Sequence, residues 1–172
     1  GPATVLNPFP VQAYGATKVS TKTVYCPPDP ITVPGVGASA EGALDAIGSP
    51  FIIEVPSSGV IHGARWYDVA DQASDVWVHI FRKPFTMAAD NAAWSPSDAD
   101  ILNLVAVLKF TDDTDEINSR VFFLENQGIA YAAPDGKLYF GVSTPAASTP
   151  TYALGSSPKL QLTILSDDPD FA

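Results

Sequence analysis

A chain of 172 residues is the size of one ordinary domain, long enough to bury a real core. With 46% hydrophobic and only 16% charged residues, 16 Pro and 12 Gly, it reads as a globular β-protein heavily punctuated by turns. A formal net charge of −10 repels phosphate backbones and anionic membranes, which argues against nucleic-acid binding, and no apolar run approaches the roughly 20 residues of a membrane-spanning helix.

Gly1-Pro2 resembles the scar of a cleaved tag and is set aside from the fold. Residues 3 to 18, "ATVLNPFPVQAYGATK", combine Pro8 and Pro10 with isolated large apolar residues and show neither helical nor strand period. They are expected to form an extended N-terminal arm (residues 1–18), with residues 19–172 as one domain. Leu6, Phe9 and Tyr14 are its candidate contacts, either with its own domain or with a partner.

"KVSTKTVYC" alternates like a first strand, and "PPDP" is expected to stop it. Residues 31 to 50 read as a long loop or weak edge strand, with one helical turn at "AEGALDAI". Eight short runs follow, each bounded by turn residues: "FIIEV", "VIHGARWYDVAD", "DVWVHIFRK", "LNLVAVLKF", "SRVFFLEN", "IAYAAP", "KLYFGVS" and "KLQLTILSD". In "DVWVHIFRK" both alternating faces are apolar, Val76, Val78 and Ile80 on one and Trp77, His79 and Phe81 on the other, so this strand is expected to be covered on both sides. Asp135-Gly136 is the strongest hairpin signal.

The sum is an all-β fold, a jelly-roll-like β-sandwich with one short helix. That helix is expected over residues 96 to 103, with Ser95 as N-cap, Pro96 at the first helical position, and Asp98 and Asp100 facing the positive end of the helix dipole. Residues 84 to 95, "PFTMAADNAAWS", then read as an excursion that the helix leads back into the sheet.

Chemistry is thinly supplied. Proton exchange near neutral pH falls to His62, His79 and Cys26, and both histidines lie in expected strands, where a sheet-bonded imidazole is the plainer reading. Asp68, Asp71 and Asp75 are possible acidic partners for either, though spacing alone does not bring them together. One cysteine forms neither an intrachain disulfide nor a zinc finger. No nucleophile elbow, zinc-protease motif or phosphate loop occurs, and the acidic runs "TDDTDE" and "SDDPD" lie in loops. The run "DDTDEIN" offers oxygens suited to Ca²⁺ but lacks the glycine and distal glutamate of an EF-hand loop, so a solvated turn is expected. No catalytic, cofactor or metal site is therefore assigned. Among aromatic residues with access to a sugar, Trp66, Trp77, Tyr67 and Tyr131 lie in strands. Trp94, in the excursion, is the candidate for surface recognition.

The stretch "SGVIHGARWYDVADQASDVWVHIFRKPFTMAADNAAWSPSDADILNLVAVLKF" resembles a family of tailed-phage virion structural proteins, and the likeness extends from about Ile52 to Asp167, roughly two-thirds of the chain. Its most specific part is the excursion, with Thr86, Asp90, Asn91, Ala92, Trp94, Ser97, Asp98, Ala99 and Asp100. The resemblance implies a non-enzymatic phage virion protein, a capsid decoration or cement protein made in the host cytoplasm and located on the capsid surface. Its partners would be the major capsid protein or other virion proteins. A homo-oligomer is expected, trimer first and dimer second. The alternative is a carbohydrate-binding or receptor-recognition module of the same particle.

Overall fold

The computed structural model describes residues 22–152, 155–168, 170 and 171. Within them the chain forms β1 (Lys22–Thr32), β2 (Ala46–Glu54), β3 (Ser58–Asp68), β4 (Val76–Phe81), α1 (Asp98–Ile101), β5 (Leu104–Phe110), β6 (Asp113–Asp115), β7 (Arg120–Leu124), β8 (Ile129–Ala132), β9 (Lys137–Ser143) and β10 (Lys159–Ser166). The expected N-terminal arm, with Leu6, Phe9 and Tyr14, lies outside the described residues.

Two antiparallel sheets result. One has the order β1-β10-β3-β7-β6, with β8 also paired to β3, and the other the order β2-β9-β4-β5. With β6 and β8 set aside, β1 pairs β10, β2 pairs β9, β3 pairs β7 and β4 pairs β5. First pairs with last and second with second-last, inward to the central hairpin, and the rolled-up ladder splits into two sheets: a jelly roll. The expected all-β sandwich is the fold found.

Alternation builds the core. From the six-stranded sheet, Val24, Ile61, Trp66, Phe122, Leu160, Leu162 and Ile164 point inward, and from the four-stranded sheet Phe51, Ile53, Val76, Val78, Ile80, Leu108, Phe110, Leu138, Phe140 and Val142 meet them. Trp66, without exposed surface, packs on Phe110 across the two layers with ring centroids 6.1 Å apart. Each such side chain contributes on the order of 1.5–3 kcal/mol when buried.

Local expectations fail where long-range pairing overrides them. "PPDP" does not stop β1; the strand bulges there, and its pairing with β10 jumps from Cys26 to Ile31. An edge strand tolerates proline because one side of its ladder is unpaired. No helical turn forms at "AEGALDAI": Ala46 and Ile47 already pair Ser143 and Val142. Gly48, at φ +69, makes the following bulge, and a Cβ there would collide with the Pro34 carbonyl oxygen. Asp135-Gly136 does not join a hairpin. Gly136 N–H closes a turn onto the Ala133 carbonyl at 2.8 Å, but β8 lies in one sheet and β9 in the other, so the turn is a corner between layers. "DTD" within "DDTDEIN" is no free turn but β6, paired to β7 at the sheet edge.

The helix is shorter than expected and its cap sits two residues later. Ser97, not Ser95, is the N-cap; its hydroxyl accepts from Asp100 N–H, and the Asp100 carboxylate accepts from Ser97 N–H in return. This reciprocal capping box outcompetes the Ser-Pro signal because it satisfies donors at both positions. Ser97→Ala is expected to cost about 1 kcal/mol by urea denaturation; no change would show that the turn is held by its flanks alone.

Candidate functional site

The crossover between β4 and β5 answers why β4 is apolar on both faces. Val76, Val78 and Ile80 face the sandwich core, while the crossover folds over Phe81 and His79 on the outside. Phe85 stacks on Phe81 with centroids 4.0 Å apart, Trp94 stacks on the His79 imidazole at 4.2 Å, and the two crossover rings meet at 6.2 Å. Gly141 on β9 makes the slot beneath them; a Cβ there would lie 2.6 Å from Trp94 and 2.7 Å from Phe85. Trp94, the sequence candidate for surface recognition, is thus half-buried with one ring face given to His79.

Asp90 ties this crossover to the preceding loops. One carboxylate oxygen accepts the Gly37 N–H at 2.9 Å and the other accepts the Gly48 N–H. Backbone bonds from Ala46 to Ala92 and from Asn91 to Ala46 run alongside. Beside Asp90 lies Glu41, 1% exposed, whose carboxyl oxygens make no well-formed hydrogen bond among the described residues, with the Asn91 N–H and the Asp90 carboxyl standing nearby. Burial, then the charges of Asp90 and Asp45, push its carboxyl up to about 7. Tyr152, fully buried, lies near Glu41 and Asp68, and its hydroxyl has no hydrogen-bond partner among the described residues. Among the described residues no group of three His, Cys, Asp or Glu side chains has the arrangement to hold a metal ion.

The two histidines are far from equivalent. His79 Nε2 lies 2.9 Å from Ser143 Oγ, a serine–imidazole pair that strand spacing concealed. Ser143 is 1% exposed and burial drives the imidazole down to about 4, so this is a sealed, neutral pair beneath Trp94. His62 is half-buried on the outer face of the six-stranded sheet. None of the three aspartates considered as partners hydrogen-bonds a histidine: Asp68 accepts the N–H groups of Ala70 and Gln72, Asp71 binds Arg120, and Asp75 makes no side-chain bond to another described residue. Arg120 also engages Asp113 and Asp115, so two of the four acids weighed for Ca²⁺ neutralise a guanidinium instead.

Of several depressions on the surface of the described residues, two are lined in part by Tyr25. A groove of about 490 Å³ runs between the edge strands β1 and β2, lined by Tyr25, Pro27, Pro28, Ile31, Ile52 and Phe171 among others. Cys26 lines it too, but burial raises its thiol to about 11, which leaves it an inert apolar group. The second, about 230 Å³, lies on the outer face of the six-stranded sheet over Gly63, between Tyr25 and Phe123. Arg65 stands between those rings, its guanidinium carbon 5.6 Å from the Tyr25 centroid and 5.7 Å from that of Phe123.

Neither depression was visible in the sequence. Of the aromatic residues weighed there, Trp66 and Tyr131 are buried, Trp77 is half-buried with the Lys109 ammonium 5.0 Å from its ring centroid, and Tyr67 bonds Gln161. Tyr25 and Phe123, 46% and 48% exposed, are neighbours only through the register of β1, β10, β3 and β7. Comparison with protein-family models, with curated proteins and with solved structures returned no match.

Proposed function

We propose that the protein is a non-enzymatic structural component of a tailed-phage particle, a decoration protein that binds the assembled head shell and stabilises it. One observation carries the reading. The residues most specific to the phage-protein resemblance are spent on scaffolding: Asp90 ties two loops, Trp94 seals β4, and Ser97 with Asp100 caps the helix. A chain whose distinctive residues brace a jelly roll suits a load-bearing part, and jelly rolls recur in viral capsids. The mechanism is mass action. A protein that binds only the assembled lattice lowers the free energy of that state by its own binding energy at every site.

The test is cosedimentation with undecorated heads, using full-length protein and a chain lacking residues 3–12. Saturable binding of the full-length protein is expected, weakened several-fold or more by the deletion, since burying Leu6 and Phe9 is worth on the order of 1.5–3 kcal/mol each. Sizing of each protein alone reads the oligomer, with a trimer expected first and a dimer second. Failure of the full-length protein to bind heads would overturn the reading. Equal binding by both forms would remove the arm from the mechanism while leaving the shell as partner.

A further inference from the structure

We propose that the depression over Gly63, on the outer face of the six-stranded sheet, is a binding site for a neutral pyranose sugar. The floor is bare backbone: Gly63 on β3 sits so close to β7 that a Cβ would stand 2.6 Å from the Leu124 carbonyl oxygen, so Gly63 puts no side chain into the space, which the Arg65 guanidinium lines between the two rings. Tyr25 and Phe123 wall it on opposite sides, each about half exposed. The Arg65 guanidinium covers one face of each ring, and the ring surface that stays exposed, about half of each residue, suits the apolar C–H groups of a sugar at low cost in side-chain freedom.

The polar groups around the pit match hydroxyls. The Arg65 guanidinium, held between two rings, forms no hydrogen bond or ion pair with another described side chain, since the ion pairs among the described residues are those of Arg120. Its fork of N–H donors is therefore oriented and unspent, with the spacing to engage two neighbouring oxygens. Glu125 supplies an acceptor on the same rim, and Thr163 and His62 add groups that both donate and accept. Arg65 and Glu125 both line this small cavity, and a cation beside a carboxylate matches the mixed donors and acceptors of a polyol. An anionic ligand would meet Glu125 and the field of a chain at net charge −10, which is why the neutral class is favoured. Aromatic residues and arginine with a few placed polar groups are the usual composition of recognition hot spots.

The test follows backbone amide resonances of isotope-labelled full-length protein during titration with maltose, lactose, mannobiose and diacetylchitobiose. Glucuronate and inorganic phosphate serve as anionic probes. At least one neutral disaccharide is expected to shift Gly63, Arg65 and Thr163 saturably, with a dissociation constant in the millimolar range typical of a shallow single site. Arg65→Ala and Phe123→Ala should each weaken it about tenfold. Phe123→Leu, which keeps apolar bulk on an exposed position and loses the aromatic face, should weaken it as well. Several outcomes would overturn the proposal: no saturable shift with any of the four sugars, shifts that map elsewhere, binding by glucuronate or phosphate alone, or undiminished binding by all three variants.

Discussion

Adding one methyl group at Gly141 is expected to lower stability by about 1–3 kcal/mol, the usual cost of overpacking a filled site. The position lies in β9, a strand held between β2 and β4, and pairs His79 of β4, so the backbone has little freedom to move away. The Cβ would collide with Trp94 and Phe85, which are themselves stacked on His79 and Phe81. The crossover must therefore lift. Trp94 leaves its half-buried place, and its emission should shift to the red relative to Trp66, which stays in the core. Urea denaturation of Gly141→Ala with tryptophan fluorescence reads both effects, and an unchanged midpoint with unchanged emission would show that the slot is slack. Gly141→Ser should behave alike, since the clash is with the first added atom and not with its chemistry.

The second large effect is on the pH dependence of stability, where two buried groups oppose each other. The Glu41 carboxyl titrates at about 7 in the fold against 4.5 as a free side chain, so its contribution is fully present below pH 4.5 and is lost as pH rises towards 7. His79 titrates at about 4 against 6.5, so its contribution is fully present above pH 6.5 and is lost as pH falls towards 4. Between pH 4.5 and 6.5 the folded state holds the glutamate proton and the unfolded state the histidine proton, and the two slopes cancel. Each limb alone approaches one proton, about 1.4 kcal/mol per pH unit. Glu41→Gln should therefore be more stable relative to the parent as pH rises from 4.5 to 7. His79→Asn should be less stable at all pH values through lost stacking, but its deficit should shrink as pH falls below 6.5. Denaturation midpoints at several pH values, taken as differences from the parent, isolate these two groups from Asp68 and Asp75, whose carboxyls are also raised by burial. A difference curve for Glu41→Gln that is flat from pH 4 to 8 would refute the assignment. So would stabilisation of the parent by Ca²⁺ at pH 8 that Glu41→Gln abolishes, because the carboxylate would then be holding a cation and not a proton.

How legible the fold was depended on whether a local pattern faced competition. The two apolar faces of β4 were readable, and they correctly required covers on both sides, one of which is the crossover. The runs of β5, β7, β9 and β10 were readable because each is rich in β-branched, aromatic or other apolar residues and is bounded by turn residues, a signal carried by consecutive positions. β1 was cut short because proline speaks about the backbone of one residue, while the strand's survival depends on lying at an edge. Asp135-Gly136 was misjoined because a turn motif specifies a reversal and not which sheet receives the next strand. Ser95-Pro96 lost to Ser97 because the deciding partner, Asp100, completes a box only from the later serine. The long-range constellations were the least visible. Tyr25, Arg65 and Phe123 converge only through the register of four strands, and Glu41 meets Asp90 from the far side of β2, β3 and β4, so no window of sequence contains either constellation.

The sheet edges carry a further consequence. An open jelly roll ends in strands with unpaired backbone groups, and identical copies held close together are prone to join along them into fibres. Here β1 bears Pro27, Pro28 and Pro30 where a newcomer's ladder would form, and β6 is three exposed residues long, two of them aspartate. On the second sheet, β2 is broken by the Gly48 bulge and Pro50, and β5 carries an exposed lysine, Lys109. Among the described residues these edges are short, bent, proline-bearing or charged, so the chain can be crowded against its own copies at high density while each domain remains separate.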